Sequence, residues 1–297
     1  MIDFWKLHGA GNDFILVDNS RGQIEDLSLL ASTVCHRRYG VGADGLMTAC
    51  PSAVADIRMV YYNSDGSPAA MCGNGIRCFS KFVRDMGLID RDAFTVETGD
   101  GVKKISISEE SLSSSMVEVE MGTFTDGKAI ALSADDKEFE CIFTHFGVPH
   151  TVIFVDSTAT KAKLIEMAEK YGPSIEVLPL FPQGTNVNFV QVLSGTELYV
   201  STWERGAGRT LACGTGACAS AAAARQLGLV QLPAAVRMPG GRVTVGTAAA
   251  GAGANTKTGS PDTNPVLTLS GEVHFICKGQ LLYSAPPQAD PRNLPCE

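Results

Sequence analysis

The sequence predicts an α+β protein with an internally repeated plan. Three observations carry this expectation. Short apolar or alternating runs, the signature of strands, recur along most of the chain. Two strongly helical segments, 75–87 and 216–227, interrupt them at corresponding places. Each of those segments is entered through the same short turn, Cys-Gly-x-Gly. A lone Gly9-Ala10-Gly11 lacks the remaining spacing and the helix of a dinucleotide fingerprint, so neither a doubly wound sheet nor NAD or FAD is expected.

Residues 2–8 and 14–18 read as strands flanking a tight polar loop at Gly9-Ala10-Gly11-Asn12-Asp13. Leu27 to Tyr39 has helical spacing and stops at Gly40. Asp56 to Tyr62 alternates as a strand and ends at Asn63-Ser64-Asp65-Gly66. Gly75 to Gly87 puts Phe79, Phe82, Val83 and Met86 on one helix face. Segments 94–97, 103–108 and 116–121 read as successive strands. Strands at 143–146 and 151–155 flank a turn, Gly147-Val148-Pro149-His150. A helix is expected over Lys161–Lys170, closing at Tyr171-Gly172-Pro173. Strands follow at 186–192 and 197–202, then an alanine-rich helix over 216–227. Residues 246–264 are low-complexity and read as a surface loop without chemistry, and the Pro-rich tail from Ser284 reads as extended.

Of 297 residues, 24 are basic and 32 acidic, a net charge of −8 that argues against a nucleic-acid partner. No run of eighteen apolar residues exists, so no membrane span is expected. The first residues lack a basic segment followed by an apolar core, so a cytoplasmic location is expected. Nine cysteines in so long a chain are not a disulfide framework. Cys35, Cys50, Cys141, Cys277 and Cys296 stand alone and read as incidental thiols.

The other four cysteines form two groups. Met71-Cys72-Gly73-Asn74-Gly75-Ile76-Arg77-Cys78 matches Ala212-Cys213-Gly214-Thr215-Gly216-Ala217-Cys218, with a strand and polar loop before and a helix after. That is the pattern of an internal duplication. At a helix start, free N–H groups and the positive dipole end bind a carboxylate. A thiol there is expected to have its pKa lowered from about 8.5 toward neutrality. If the halves close on each other, a thiolate base and a thiol acid face one carbon from opposite sides. That pair inverts a stereocentre without a metal. Neither turn contains a lysine to anchor pyridoxal phosphate. Cys78 and Cys218, six and five positions on, point away from the first pair on a helix and read as packing residues. Their spacings fit structural zinc poorly.

Polar residues support the turns. Glu204-Arg205 follows a strand just before Cys213, and such a pair offers one group for an ammonium and a two-pronged donor for a carboxylate. Asn12, Asn63 and Asn186 lie in loops at strand ends, and His150 follows a proline in a turn. Competing readings are a metal or redox protein that uses the cysteines, and a binding module, which would need neither thiol.

These motifs resemble diaminopimelate epimerases. The likeness runs from Lys6-Leu7-His8-Gly9-Ala10-Gly11-Asn12-Asp13-Phe14 to about Gly279, through Gly40-Val41-Gly42-Ala43-Asp44-Gly45, Asn63-Ser64-Asp65-Gly66, both cysteine turns, Gly147-Val148-Pro149-His150 and Glu204-Arg205-Gly206-Ala207-Gly208. The resemblance implies two pseudo-symmetric domains, each a β-barrel-like mixed sheet around a central helix, with the active site in the cleft between them. Residues 1–117 plus 277–297 would form one domain and 118–276 the other. It implies a cofactor-independent homodimer that interconverts LL- and meso-diaminopimelate, a small amino acid, in lysine and peptidoglycan precursor biosynthesis. Cys72 and Cys213 would be the acid–base pair, with Glu204 and His150 assisting proton transfer. Asn12, Asn63 and Asn186 would bind the distal end of the substrate, and Glu204 and Arg205 would also contact it. The N–H groups of Gly73, Asn74, Gly214 and Thr215 would hold the carboxylate. One departure bears on specificity: Val148 stands where the family often has asparagine. A related racemase or isomerase of the same fold, acting on another amino acid or small carboxylate, is the alternative.

Overall fold

The computed structural model describes residues 1–108, 111, 113–248 and 265–282. They form seventeen strands and four helices. The first part runs β1 (Ile2–Gly9), β2 (Asn12–Asp18), α1 (Leu27–Val34), β3 (Gly45–Cys50), β4 (Ile57–Asn63), β5 (Pro68–Ala69), α2 (Gly73–Asp85), β6 (Ala93–Thr98), β7 (Gly101–Ser108) and β8 (Ser114–Thr123). After β9 (Lys128–Ala134) come β10 (Lys137–Phe146), β11 (Val148–Phe154), α3 (Lys161–Glu176), β12 (Asn186–Ser194), β13 (Glu197–Glu204), β14 (Gly208–Arg209), α4 (Gly214–Gln226), β15 (Ala234–Met238), β16 (Gly241–Thr247) and β17 (Val266–Leu281). From β10 onward the order repeats that of β1 to β8 element for element.

Pairing makes the repeat physical. Strands β1, β2, β3, β4, β6, β7, β8 and β17 close a ring, with β17 returning to β1. Two neighbours in it are parallel, β2–β3 and β4–β6. The second sheet has the same two parallel joints, β11–β12 and β13–β15. It continues through β16 to β17. Strands β8 and β17 pair with each other and are the seam between the two sheets. The α+β class and the duplicated barrel plan expected from the sequence are therefore present.

A helix fills each sheet. Every residue of α2 from Gly73 to Val83 is buried, because strands surround it on all sides. Phe79 and Phe82 are its largest apolar groups, and burying each is worth roughly 1.5–3 kcal/mol. In α4 the buried run Ala221–Ala224 keeps the helix narrow enough for strands to close around it. The main core is continuous from Phe14 and Phe79 in the first sheet to Val236 and Ala223 in the second. Helices α1 and α3 lie outside, each in the parallel crossover of its half, over smaller clusters of their own.

Several boundaries differ from expectation. Helix α1 stops at Val34, short of Tyr39. The following loop folds back instead: the N–H groups of Val41 and Gly42 donate to Val34 O and that of Ala43 to Cys35 O, satisfying the last carbonyls. Helix α3 continues past Tyr171-Gly172-Pro173 to Glu176. Its last turn is held by tertiary bonds: Trp203 Nε1 donates to Glu176 Oε2 at 2.7 Å and Gly206 N to Oε1 at 3.0 Å. Those bonds offset the missing proline donor. The turn at 147–150 is only Gly147, and Val148 to His150 already belong to β11. Likewise Asn12 and Asp13 belong to β2, leaving Ala10 and Gly11 as the turn. Gly246 and Thr247 are in β16; 249–264 and the tail from 283 lie outside the described residues. Strand β17 has 16 residues, as many as α3, and the residue pattern alone does not mark it.

Candidate active site

The two cysteine turns meet. Cys72 is the N-cap of α2 and Cys213 the N-cap of α4, both in extended backbone. Their following glycines touch across the seam: a Cβ at Gly73 would stand 3.3 Å from Gly214 Cα, and one at Gly214 3.2 Å from Gly73 Cα. A side chain at either position would have to push the facing backbone back by a few tenths of an ångström, so glycine suits both. Two helix N-termini, with their free N–H groups, therefore converge beside two sulfurs. Asn74 fastens the turns together, its Nδ2 donating to Ala212 O at 3.2 Å.

The thiols differ from expectation in one respect. Burial pushes both Cys72 and Cys213 up from the ordinary thiol value. The N–H groups of Gly75 and Asn74 favour the Cys72 thiolate, and Gly216 N–H donates to Cys213 Sγ at 3.4 Å, but desolvation outweighs them. The Glu204 carboxylate opposes both thiolates as well. The expectation of lowered values is corrected: the resting site favours two thiols. A thiolate forms there only with help from neighbouring protons and from ligand charge.

Glu204 stands against Cys213. Its Oε1 accepts from Thr210 Oγ1 at 2.5 Å, and burial raises its pKa, which favours a neutral carboxyl. Thr215 Oγ1 lies 3.5 Å from Cys213 Sγ. On the other side, the Cys72 thiol donates to Asn12 Oδ1 at 3.5 Å. Asn12 Nδ2 is spent on Asp44 Oδ2 at 2.6 Å, and Arg37 binds both Asp44 and Asp13. The amide is thus oriented with its oxygen toward sulfur.

Glu204 and Arg205 do not act as one pair. The Arg205 guanidinium donates to Gln183 O, while its backbone N–H donates to Asn186 Oδ1 at 2.8 Å. Asn186 sits in register with His150 across β11 and β12. His150 is fully buried; its Nδ1 accepts from Asn188 Nδ2 at 3.2 Å, which leaves the proton on Nε2. Burial lowers its pKa to about 3, so the ring is neutral. Asn188 Oδ1 accepts from Thr202 and stands against the first turn of α4, where a Cβ at Gly216 would come within 2.5 Å. His150 reaches the Cys213 turn through Asn188. Asn63 is the last residue of β4, opposite Gly45, its Nδ2 donating to Ser67 Oγ.

Cys78 and Cys218 are fully buried in the core beside their helices, as packing residues. Cys35 and Cys141 are buried thiols, each pushed up to about 12 by burial.

Four residues of this site carry no signal of their own in the sequence. Tyr61 lies beside Cys72 and Glu204, whose charges, after burial, raise its hydroxyl pKa. It is two positions before Asn63 on the same strand, hence on the same face, which is the clue that could have found it. Asp44 follows Ala43 within a recognised motif, yet its grip on Asn12 spans 32 positions. Asn188 is likewise 38 positions from His150, whereas Thr210 lies six from Glu204 and the chain between them turns back to bring them together.

The family model described as diaminopimelate epimerase matches residues 4–125 and 142–264. A diaminopimelate epimerase of Alkaliphilus metalliredigens is 40% identical over 297 aligned residues, covering 95% of this chain and 98% of that protein. Among solved structures, a PhzF-family phenazine biosynthesis protein of Bacillus anthracis superposes with a TM-score of 0.69 at 17% identity, covering 95% of this chain and 99% of that one. A probable proline racemase of Agrobacterium radiobacter K84 with bound carbonate gives 0.68 at 15%, covering 98% and 95%. At those identities the structures speak for the fold alone.

Proposed function

This chain belongs to the diaminopimelate epimerase family, and from that premise we propose that Cys72 and Cys213 are the acid–base pair that inverts the α-carbon of its substrate. The enzyme is an isomerase that interconverts LL- and meso-diaminopimelate. The observation that carries the two-thiol reading is the contact between Gly73 and Gly214, each directly after one of the cysteines.

The reaction follows from that arrangement. The substrate carboxylate binds the N–H groups of Gly73, Asn74, Gly214 and Thr215, where two positive dipole ends add. One sulfur, as thiolate, takes the α-proton, and the C–H electron pair passes into the carboxylate. The same N–H groups stabilise the doubly charged group that results. The opposite thiol delivers its proton to the other face, and the two sulfurs exchange roles. No electrons are gained or lost overall, and the groups named need no pyridoxal phosphate, since a backbone anion site takes the charge. Glu204 accepts or returns a proton at Cys213. Burial raises its pKa, which makes it a readier holder of that proton than an exposed carboxylate. His150, through Asn188, keeps the Cys213 turn in place and supplies a neutral ring. Asn12, Asn63, Asn186 and Arg205 bind the distal amino-acid end.

The domain division at 117/118 and 276/277 cuts through β8 and β17, the shared seam. A homodimer and a cytoplasmic location belong to the same proposal. No helix of the described residues is long and apolar enough to cross a membrane.

The test is solvent deuterium incorporation at the α-carbon with LL- and meso-diaminopimelate, beside glutamate and histidine. Val148, half-buried where the family often has asparagine, makes the controls necessary. Exchange with diaminopimelate alone is expected, lost in Cys72→Ala and in Cys213→Ala. Full epimerase turnover by either variant refutes the pair, and faster exchange with a control moves the assignment to a related racemase.

A further inference from the structure

Arg77 belongs to the first cysteine turn, but no step above uses it. Its guanidinium is fully buried, and no carboxylate lies within ion-pair distance among the described residues. One nitrogen donates to Gly73 O at 2.9 Å and another to Asn74 Oδ1 at 3.0 Å, while Nε has no partner. Glycines wall it in: a Cβ at Gly9 on β1 or at Gly271 on β17 would come within 3.3 Å of it. Larger residues there would displace it. A buried cation without a counter-charge is costly to keep, so its retention needs a reason.

The reason lies at the seam. Asn74, held by Arg77, is the side chain that donates to Ala212 O, directly before Cys213. The ionisable groups that bear on Arg77 are thiols from both central helices: Cys78 and Cys72 of α2 and Cys218 of α4. The second turn has no arginine of its own, since Ala217 runs straight into Cys218. One cation therefore stands under two anion-binding helix starts.

We propose that Arg77 is a positioning residue shared by both cysteine turns: it holds Gly73 and Asn74, holds Ala212 through Asn74, and offers its unneutralised charge to the Cys72 thiolate. This rests on the reading of Cys72 and Cys213 as the acid–base pair. Facing Cys72 are Arg77, which favours its thiolate, and Glu204, which opposes it; Tyr61 also lies beside it.

The experiment compares Arg77→Met, Arg77→Lys and the parent enzyme. Folding is followed by thermal melting, kcat and KM with diaminopimelate, and the pH profile of Cys72 alkylation by iodoacetamide by peptide mass mapping. Arg77→Met is expected to lower kcat about 100-fold with KM changed less than about threefold, and to move the alkylation midpoint up by about one pH unit or more. Arg77→Lys restores the midpoint but not kcat, because an ammonium lacks the fork. A folded Arg77→Met with the parent's alkylation profile and kcat within about twofold overturns the proposal. If Arg77→Met does not fold, Asn74→Ala decides: it cuts the tie to Ala212 and is expected to lower kcat about tenfold or more, and parent-like kcat overturns the shared role. Alkylation reads Cys72 without turnover. Failure of the arginine role is thereby distinct from failure of the two-thiol reading, which Cys72→Ala and Cys213→Ala decide.

Discussion

Replacing His150 with asparagine should flatten the acid side of the stability profile. His150 is neutral in the fold, with a pKa of about 3 set first by burial. In the unfolded chain an imidazole titrates near 6.5. Between those values the unfolded state binds a proton that the folded state refuses, so stability is fully present above about 6.5 and is lost as the pH falls toward 3. Near pH 4.5 the deficit from this one group is roughly 2–3 kcal/mol, at about 1.4 kcal/mol per pH unit. Glu204 runs the other way, since its raised pKa lets the fold bind a proton first. His8, lowered by burial and by His274, runs the same way as His150. Both terms cancel when parent and variant are compared at each pH. Asparagine keeps an acceptor near the place of Nδ1 for Asn188. The assay is urea unfolding followed by circular dichroism from pH 8 to 4.5. The parent should lose roughly 2–3 kcal/mol more than His150→Asn over that range. Parallel profiles would mean that the ring reaches solvent or finds a counter-charge, and the argument for a buried neutral histidine would fail.

Other expectations concern the thiols and their neighbours. Glu204→Gln removes the carboxylate that opposes the Cys213 thiolate, so Cys213 alkylation should move to lower pH while kcat falls about 10- to 100-fold; an unmoved alkylation profile counts against their contact. Asp44→Ala frees Asn12 Nδ2 and the orientation of its amide, and should lower kcat/KM about tenfold with the fold intact; parent-like kinetics would show that Asn12 needs no anchor. A mild thiol oxidant should inactivate the enzyme with a Cys72–Cys213 disulfide visible by peptide mapping, and dithiothreitol should restore it. Inactivation that outlasts the reductant would argue against two sulfurs in one site.

Much of this architecture could be read from residue order because local chemistry and fold agree. The caps at Cys72 and Cys213 follow from glycines at the start of two helices, and a duplicated turn announced a duplicated plan. Alternation marked β6, β7 and β8 because each has one buried face. β17 escaped because its burial is uneven, apolar at Leu267 and Leu269 and exposed near Cys277. Its partners are also far away in sequence, β1 among them. α3 escaped at its end because the bonds from Glu176 to Trp203 and Gly206 are tertiary. The raised thiol pKa values are illegible in the sequence for a similar reason. A cap motif records the N–H donors but not how much water the opposite half removes. Glu204 and Arg205, adjacent in sequence, look like one device, yet they bond to different partners.

One strand closes the first ring and ends the second sheet, and this bears on synthesis. β1 leaves the ribosome long before β17 but keeps one row of backbone donors and acceptors unpaired until residues 274–281 arrive. The opening segment therefore waits for the closing one. During translation that edge is open to foreign chains. A nascent chain halted before Val266 would carry a split first barrel however well its own residues had folded, and it is there that a chaperone would have most to do.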